Sequence, residues 1–129
     1  MGTVLVVEDE FGIAELIEAV LTDEGHRVLI AVNGRQGLEM LAKERPELVF
    51  LDYMMPVMDG AAMLRSMADD PSLDGIPVVM MSSVPEATVA ERCSGYALFL
   101  LKPFRIADVV TLADRLIGKG APPPAQSTP

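Results

Sequence analysis

Residues 47–60 read ELVFLDYMMPVMDG, and the fold class follows from this segment. It contains an apolar run, residues 48–51, that ends at the carboxylate of Asp52. A continuous apolar run is typical of a parallel strand that is buried on both faces. An acid at the carboxyl end of such a strand lies where open α/β sheets bind their ligands. We therefore expect Asp52 to belong to a functional site.

Strand-like and helix-like patterns alternate on both sides of this segment. Apolar runs predict strands at residues 3–7, 27–31, 48–51, 76–81 and 96–101. Apolar residues at helical spacing predict helices at 11–24, around 38–42, and at 61–68, 85–94 and 106–117. The alternation predicts an α/β fold, with a parallel sheet, right-handed crossovers and helices on both faces.

The composition is that of one globular domain. The chain has 129 residues, of which half are hydrophobic and 22% are charged. Its formal net charge is −9 and no basic stripe is present, which argues against direct binding of nucleic acid. A basic partner surface or a bound cation fits this charge better. We expect the domain to span residues 1–118, and the Pro-rich residues 119–129 to be a disordered tail or linker.

Three features bear on the compartment and on metal binding. Cys93 is the only cysteine, so no intrachain disulfide forms and a reducing compartment is indicated. The first residues lack the basic start of a signal peptide, and no apolar run is long enough to span a membrane. We therefore expect a cytoplasmic protein without membrane contact. We take His26 for a surface residue and not for a metal ligand, because no second histidine exists to share a metal with it.

Polar side chains follow four of the five predicted strands. They are Glu8 with Asp9, then Asp52, Ser82 and Lys102. The carboxyl ends of parallel strands meet at one edge of the sheet, so we expect these groups to converge. Three neighbouring carboxylates repel one another unless a cation joins them. Because all the ligands are hard oxygens, the cation is predicted to be Mg²⁺ or Mn²⁺.

Such a group of side chains suits the transfer of a phosphoryl group. A cation and Lys102 would neutralise the oxygens of the incoming group, and Ser82 would donate a hydrogen bond to it. Asp52 would attack in line as the nucleophile.

Four motifs carry a family resemblance: VLVVEDE at 4–10, LDYMMPVMDG at 51–60, PVVMMSS at 77–83 and LKPF at 101–104. With them, residues 3–118 resemble a response-regulator receiver domain of bacterial two-component signalling, of the chemotaxis-regulator type. The resemblance implies a flavodoxin-like, doubly wound sheet of five parallel strands in the order 2-1-3-4-5.

The resemblance also implies roles for the residues of the site. Asp52 would be the phosphoacceptor and Lys102 the lysine that contacts the phosphoryl group. Asp9 would ligate the metal directly, Glu8 would help through water, and Met54 would offer its backbone carbonyl. The domain would catalyse only its own phosphorylation and dephosphorylation, and we do not expect another enzymatic activity.

A switch and its partners follow from the same resemblance. Ser82 would be the switch hydroxyl and Phe99 the aromatic ring that moves with it. The phosphodonor would be a sensor histidine kinase or a phosphotransfer protein. The output would be a downstream protein or a homodimer, bound through the face formed by the fourth helix, fifth strand and fifth helix. Because residues 96–101 carry no charge, we predict Tyr96 and Leu98 in that interface.

The chain departs from the family pattern in several places. Glu8 replaces the commoner aspartate, and Ser83 stands where a small apolar residue is usual. The 20 residues from Ser82 to Lys102 are a residue or two short, which predicts a clipped fourth helix.

Three other functions compete with this one. An aspartyl-nucleophile phosphohydrolase would need a second acid where Met54 stands. A flavodoxin-like cofactor binder would need a phosphate-binding loop where the acids of residues 8–10 stand. The third alternative is a receiver-like docking module that is never phosphorylated.

Overall fold

The computed structural model describes residues 2–117, and the predicted tail at 119–129 lies outside them. The strands are β1 (Thr3–Val7), β2 (Arg27–Ala31), β3 (Leu48–Asp52), β4 (Val78–Ser82) and β5 (Leu98–Leu101). The helices are α1 (Phe11–Asp23), α2 (Gly34–Lys43), α3 (Gly60–Ala68), α4 (Glu86–Ala90) and α5 (Ile106–Leu116). A short 3₁₀ helix, Pro71–Leu73, lies between α3 and β4.

The five strands form one parallel sheet in the order β2-β1-β3-β4-β5. The predicted fold class and strand order are therefore confirmed. Every residue of β3, the central strand, is buried. Within residues 2–117 no helix combines the length and the apolar character that a membrane crossing requires.

Two hydrophobic clusters cover the two faces of the sheet. On one face, α1 and α5 contribute Ile17 and Ala113, which pack with Phe50. On the other face, residues from α2, α3 and α4 pack with alternate residues of the same strands, among them Leu51. This alternation within β3 is what a parallel strand buried on both faces requires.

The region between β4 and β5 differs most from the predicted boundaries. The fourth helix has only five residues, where residues 85–94 were predicted to be helical. Gly95 then adopts a φ of 92°, in the left-handed region that favours glycine. The strand that follows begins at Leu98 instead of residue 96, because its first partner on β4 is Val79. The helix is short, as the residue count predicted.

The prediction that His26 lies at the surface is wrong. This residue is only 8% exposed, and its Nδ1 accepts a hydrogen bond from the backbone N–H of Gly2 at 3.1 Å. Gly25, with a φ of 92°, ends the turn after α1 and brings His26 against the start of β1. The imidazole can be buried at low cost in free energy because its ring nitrogen accepts a hydrogen bond.

Candidate functional site

The ends of four neighbouring strands bring the predicted site residues to one edge of the sheet. Asp52 ends β3 and Ser82 ends β4, while Glu8 follows β1 and Lys102 follows β5. Backbone hydrogen bonds continue the sheet past its strands: Glu8 N–H donates to Ala31 at 2.9 Å, and Lys102 N–H donates to Ser82 at 2.8 Å. These bonds fix the positions from which the side chains extend.

Lys102 lies between two carboxylates. Its Nζ is 2.8 Å from Oε1 of Glu8 and 3.0 Å from Oδ1 of Asp52. A third carboxylate, that of the exposed Glu10, is 3.8 Å away. The side chains of Glu8 and Asp52 are almost completely buried, so when both acids are ionised one ammonium group faces two buried negative charges. In that state the site carries an excess of negative charge.

Carboxylate oxygens of Glu8, Asp9 and Asp52 all lie within 4.8 Å of one another. Asp9 is exposed, whereas the other two acids are buried. Three hard oxygen ligands at such a distance fit Mg²⁺ or Mn²⁺, and they lack the nitrogen or sulfur ligands that zinc prefers. Met54, whose carbonyl was predicted as a further ligand, lies two residues beyond Asp52, and its side chain is exposed.

Burial dominates the electrostatics of this group. It raises the pKa of Glu8 to about 7, and the neighbouring charge of Asp52 adds to the effect, although the hydrogen bond from Lys102 opposes it. Burial likewise raises the pKa of Asp52, against the hydrogen bond and charge of Lys102. Burial lowers the pKa of Lys102, but its hydrogen bonds to both carboxylates outweigh burial and the net shift is upward. Lys102 is therefore a permanent cation in the site.

An open cavity of about 540 Å³ gives access to Asp52. Asp52, Ser82 and Lys102 line it together with Asp9, and Ile13, Leu16 and Phe104 are among the apolar residues of its wall. Ser82 is buried, and its Oγ accepts a hydrogen bond from the backbone N–H of Val84 at 3.0 Å. The cavity is therefore large enough for a phosphoryl group and is lined by both polar and apolar side chains.

The loop after β3 holds Asp52 in place. Gly60 N–H donates to the carbonyl of Tyr53 at 3.0 Å, which folds the loop back onto the strand. Asp59 caps α3 by accepting a hydrogen bond from Ala62 N–H at 2.9 Å. A Cβ atom on Gly60 would overlap the carbonyl oxygen of Asp52. Only glycine permits this close approach.

Apart from Ser82, which lines the cavity, the residues predicted for the switch and the interface lie in or just before β5 and do not line the cavity. Phe99 is half-buried, and its ring centroid is 6.5 Å from that of Tyr96. The Tyr96 hydroxyl donates a hydrogen bond to Glu86 at 3.0 Å, which ties it to α4. Leu98 is half-buried and packs on the other face of the sheet, with the cluster of α1 and α5. Tyr96 and Leu98 thus flank the edge strand from opposite faces.

One polar contact near the site has no counterpart in the sequence predictions. Arg92, just after α4, lies with its guanidinium carbon 5.8 Å from the ring centroid of Tyr53. One of its nitrogens is 3.6 Å from Asp59. The arginine therefore links the short fourth helix to the loop that holds Asp52. No local signal marks this contact, because Arg92 and Tyr53 are 39 residues apart.

Comparisons with known proteins agree with this geometry. The family model described as the response regulator receiver domain matches residues 4–114. The chain is 38% identical over 112 residues to the response regulator PleD of Caulobacter vibrioides, covering 85% of this chain but only 24% of PleD. It is 34% identical over 108 residues to sporulation initiation phosphotransferase F of Bacillus subtilis, covering 82% of this chain and 86% of that protein.

A solved structure is similar to this fold. It is the receiver domain of a sensor histidine kinase from Pseudomonas aeruginosa, with a magnesium ion coordinated in the active-site cleft. The TM-score is 0.84 at 27% identity, and the match covers 91% of this chain and 98% of that one.

Proposed function

The chain belongs to the response regulator receiver domain family, and we propose that it is a phosphorylatable signalling switch with Asp52 as its phosphoacceptor. The observation that carries this proposal is the position of Asp52. Its carboxylate lines the cavity, 3.0 Å from Lys102 Nζ, and belongs to a cluster of three acids. Few structural roles would require an acid to be buried in such a place.

The proposed reaction is the transfer of a phosphoryl group from a phosphohistidine. An oxygen of Asp52 attacks phosphorus in line while the nitrogen–phosphorus bond of the donor breaks. The imidazole leaves with the electron pair of that bond and takes up a proton. Lys102 stabilises the charge that spreads over the equatorial oxygens. The donor is proposed to be a sensor histidine kinase or a phosphotransfer protein.

Mg²⁺, or Mn²⁺ in its place, is the proposed cofactor. Asp9 and Asp52 would hold it, with Glu8 acting through water and Met54 through its carbonyl oxygen. When bound, it supplies positive charge that offsets the phosphoryl oxygens. The distances among the three carboxylates and the magnesium named for the similar Pseudomonas aeruginosa structure support this cofactor.

The proposed switch involves Ser82 and Phe99. Ser82 now accepts a hydrogen bond from Val84 N–H, which holds the loop that leads to α4. A phosphoryl group on Asp52 would offer an acceptor for the Ser82 hydroxyl and so draw this loop inward. Phe99, on the strand beside β4, would then occupy the space that the loop leaves.

The proposed output is binding of a protein partner or of a second copy, through the face of α4, β5 and α5. Like receiver domains generally, the chain would turn over no separate substrate, and its proposed compartment is the cytoplasm. A docking module without phosphorylation is less well supported, because such a module has no need of the buried cluster of Asp52, Glu8 and Lys102.

The experiment is phosphorylation by a small phosphodonor such as acetyl phosphate in the presence of Mg²⁺. Intact-mass spectrometry should show one added phosphoryl group on the wild type and none on Asp52→Asn. Asp69→Asn is a matched control, because Asp69 is an exposed acid that ends α3 far from the cavity. We expect Asp69→Asn to be modified like the wild type, and a phosphoryl group that persists in Asp52→Asn would refute the assignment.

A further inference from the structure

Glu8 occupies a different position from the other acids of the site. Its side chain is completely buried, and both of its carboxylate oxygens have partners. Oε1 accepts a hydrogen bond from Lys102 Nζ at 2.8 Å, and Oε2 accepts one from the backbone N–H of Glu10 at 3.1 Å. The carboxylate is therefore fixed in orientation from both sides.

Glu8 differs from Asp9 and Asp52 in its access to the cavity. Asp9 and Asp52 line the cavity, whereas Glu8 is not among the lining residues. A cation that enters from solvent meets Asp9 and Asp52 first, and Glu8 lies behind them against Lys102. Glu8 therefore contacts the lysine directly, whereas a cation in the cavity would contact the other two acids.

The length of the side chain matters for this contact. A glutamate reaches roughly 1.5 Å further than an aspartate, which is the length of one carbon–carbon bond. From the same backbone position an aspartate would withdraw its carboxylate from Lys102, so the 2.8 Å contact would lengthen with the lysine in its present place. Glu8, which departs from the commoner aspartate, therefore reaches closer to Lys102 than the commoner residue would from this backbone.

We propose that Glu8 is a positioning residue for Lys102, which it holds beside Asp52 while Asp9 and Asp52 bind the cation. The inference rests on the proposed phosphorylation of Asp52 and deepens it. A lysine side chain has many rotamers, and one that is held in place reaches the phosphoryl oxygens without losing that freedom during the reaction. Once Asp52 carries the phosphoryl group, its contact with Lys102 changes, whereas the contact with Glu8 persists.

The first test observes Lys102 directly. The ammonium nitrogen of a lysine in a buried ion pair exchanges protons slowly, so its ¹⁵N NMR signal is visible. We expect a protected signal for Lys102 in the wild type, with and without Mg²⁺, and its loss in Glu8→Gln and Glu8→Asp. Lys43, which is exposed on α2, is the internal control. A protected Lys102 signal that survives in both variants would overturn the proposal.

The second test separates the lysine from the cation. Calorimetric titration with Mg²⁺ should show affinity weakened at least about tenfold in Asp9→Asn but much less in Glu8→Asp, which keeps the charge. At saturating Mg²⁺, acetyl phosphate should modify Glu8→Asp about ten times more slowly than the wild type. Equal losses of Mg²⁺ affinity in Glu8→Asp and Asp9→Asn would instead make Glu8 a metal ligand.

These outcomes are distinguishable from failure of the proposed function. If the wild type itself takes no phosphoryl group on Asp52, the function is wrong whatever Glu8 does. If the wild type is modified and Glu8→Asp is modified equally fast, only the role of Glu8 is refuted. Because Glu8→Asp keeps both the charge and the acid type, it remains informative if Glu8→Gln fails to fold.

Discussion

Replacing Gly60 with alanine would show how closely the loop after β3 fixes the phosphoacceptor. The added Cβ would overlap the carbonyl oxygen of Asp52 and would lie 3.0 Å from Cα of Tyr53. Both obstacles are backbone atoms. Neither can move easily, because Tyr53 N–H donates to Met81 at 2.8 Å and Gly60 N–H donates to Tyr53 at 3.0 Å. The loop and the end of β3 must therefore separate.

The expected cost has two parts. Overpacking of this kind reduces the free energy of unfolding by about 1–3 kcal/mol, and this outweighs the gain of about 0.5–1 kcal/mol from replacing glycine in a helix. The displacement also moves Asp52, and a shift of about 1 Å in a reacting group lowers a rate by roughly 100-fold. Urea unfolding and the rate of modification by acetyl phosphate measure the two effects separately.

Gly12→Ala is the matched control, because Gly12 lies in α1 and a Cβ there would meet nothing within 4 Å. We expect this variant to be more stable than the wild type by up to about 1 kcal/mol, with an unchanged rate of phosphorylation. If Gly60→Ala matches Gly12→Ala in both measurements, the loop does not constrain Asp52 and the reasoning is refuted.

Three further predictions concern the charges of the site and the edge strand. Because the pKa of Glu8 is raised to about 7 from 4.5, the folded state binds more protons than the unfolded state between these values. Without metal, the free energy of unfolding should therefore fall as the pH rises from about 4.5 to 7, by an amount on the order of 3 kcal/mol. Urea unfolding should show a weaker pH dependence in Glu8→Gln, and an equal pH dependence in the two proteins would contradict this. Mg²⁺ at 100 times its dissociation constant should stabilise the wild type by about 2.7 kcal/mol in thermal unfolding, whereas Asp9→Ala should gain no stability from Mg²⁺. Without Mg²⁺, Asp9→Ala should be more stable than the wild type, because the repulsion among the carboxylates is reduced. If β5 forms a homodimer, light scattering should show a higher mass for the wild type than for Leu98→Asp, and the phosphorylated form should shift that difference; a wild type that stays monomeric in both forms would leave only a foreign partner.

The sequence alone determined which residues gather at the functional edge. Residues 3–7 and 48–51 are apolar runs that end in acids, and a parallel sheet sends all such ends in one direction. Strand alternation and helical spacing are local properties, so they predict the order of the elements without knowledge of any contact. The short fourth helix was predicted from the family resemblance, because the spacing from Ser82 to Lys102 is shorter than the family pattern.

Only the tertiary structure decided which of those residues contact one another. Glu8 and Lys102 are 94 residues apart, and nothing local in either segment marks the 2.8 Å contact between them. The sequence predicts His26 at the surface, whereas the turn after α1 places it against Gly2. In both cases the deciding quantity is the position of one backbone segment relative to another. Burial and pairing depend on that relative position, and the periodicity of residues along the chain carries no information about it.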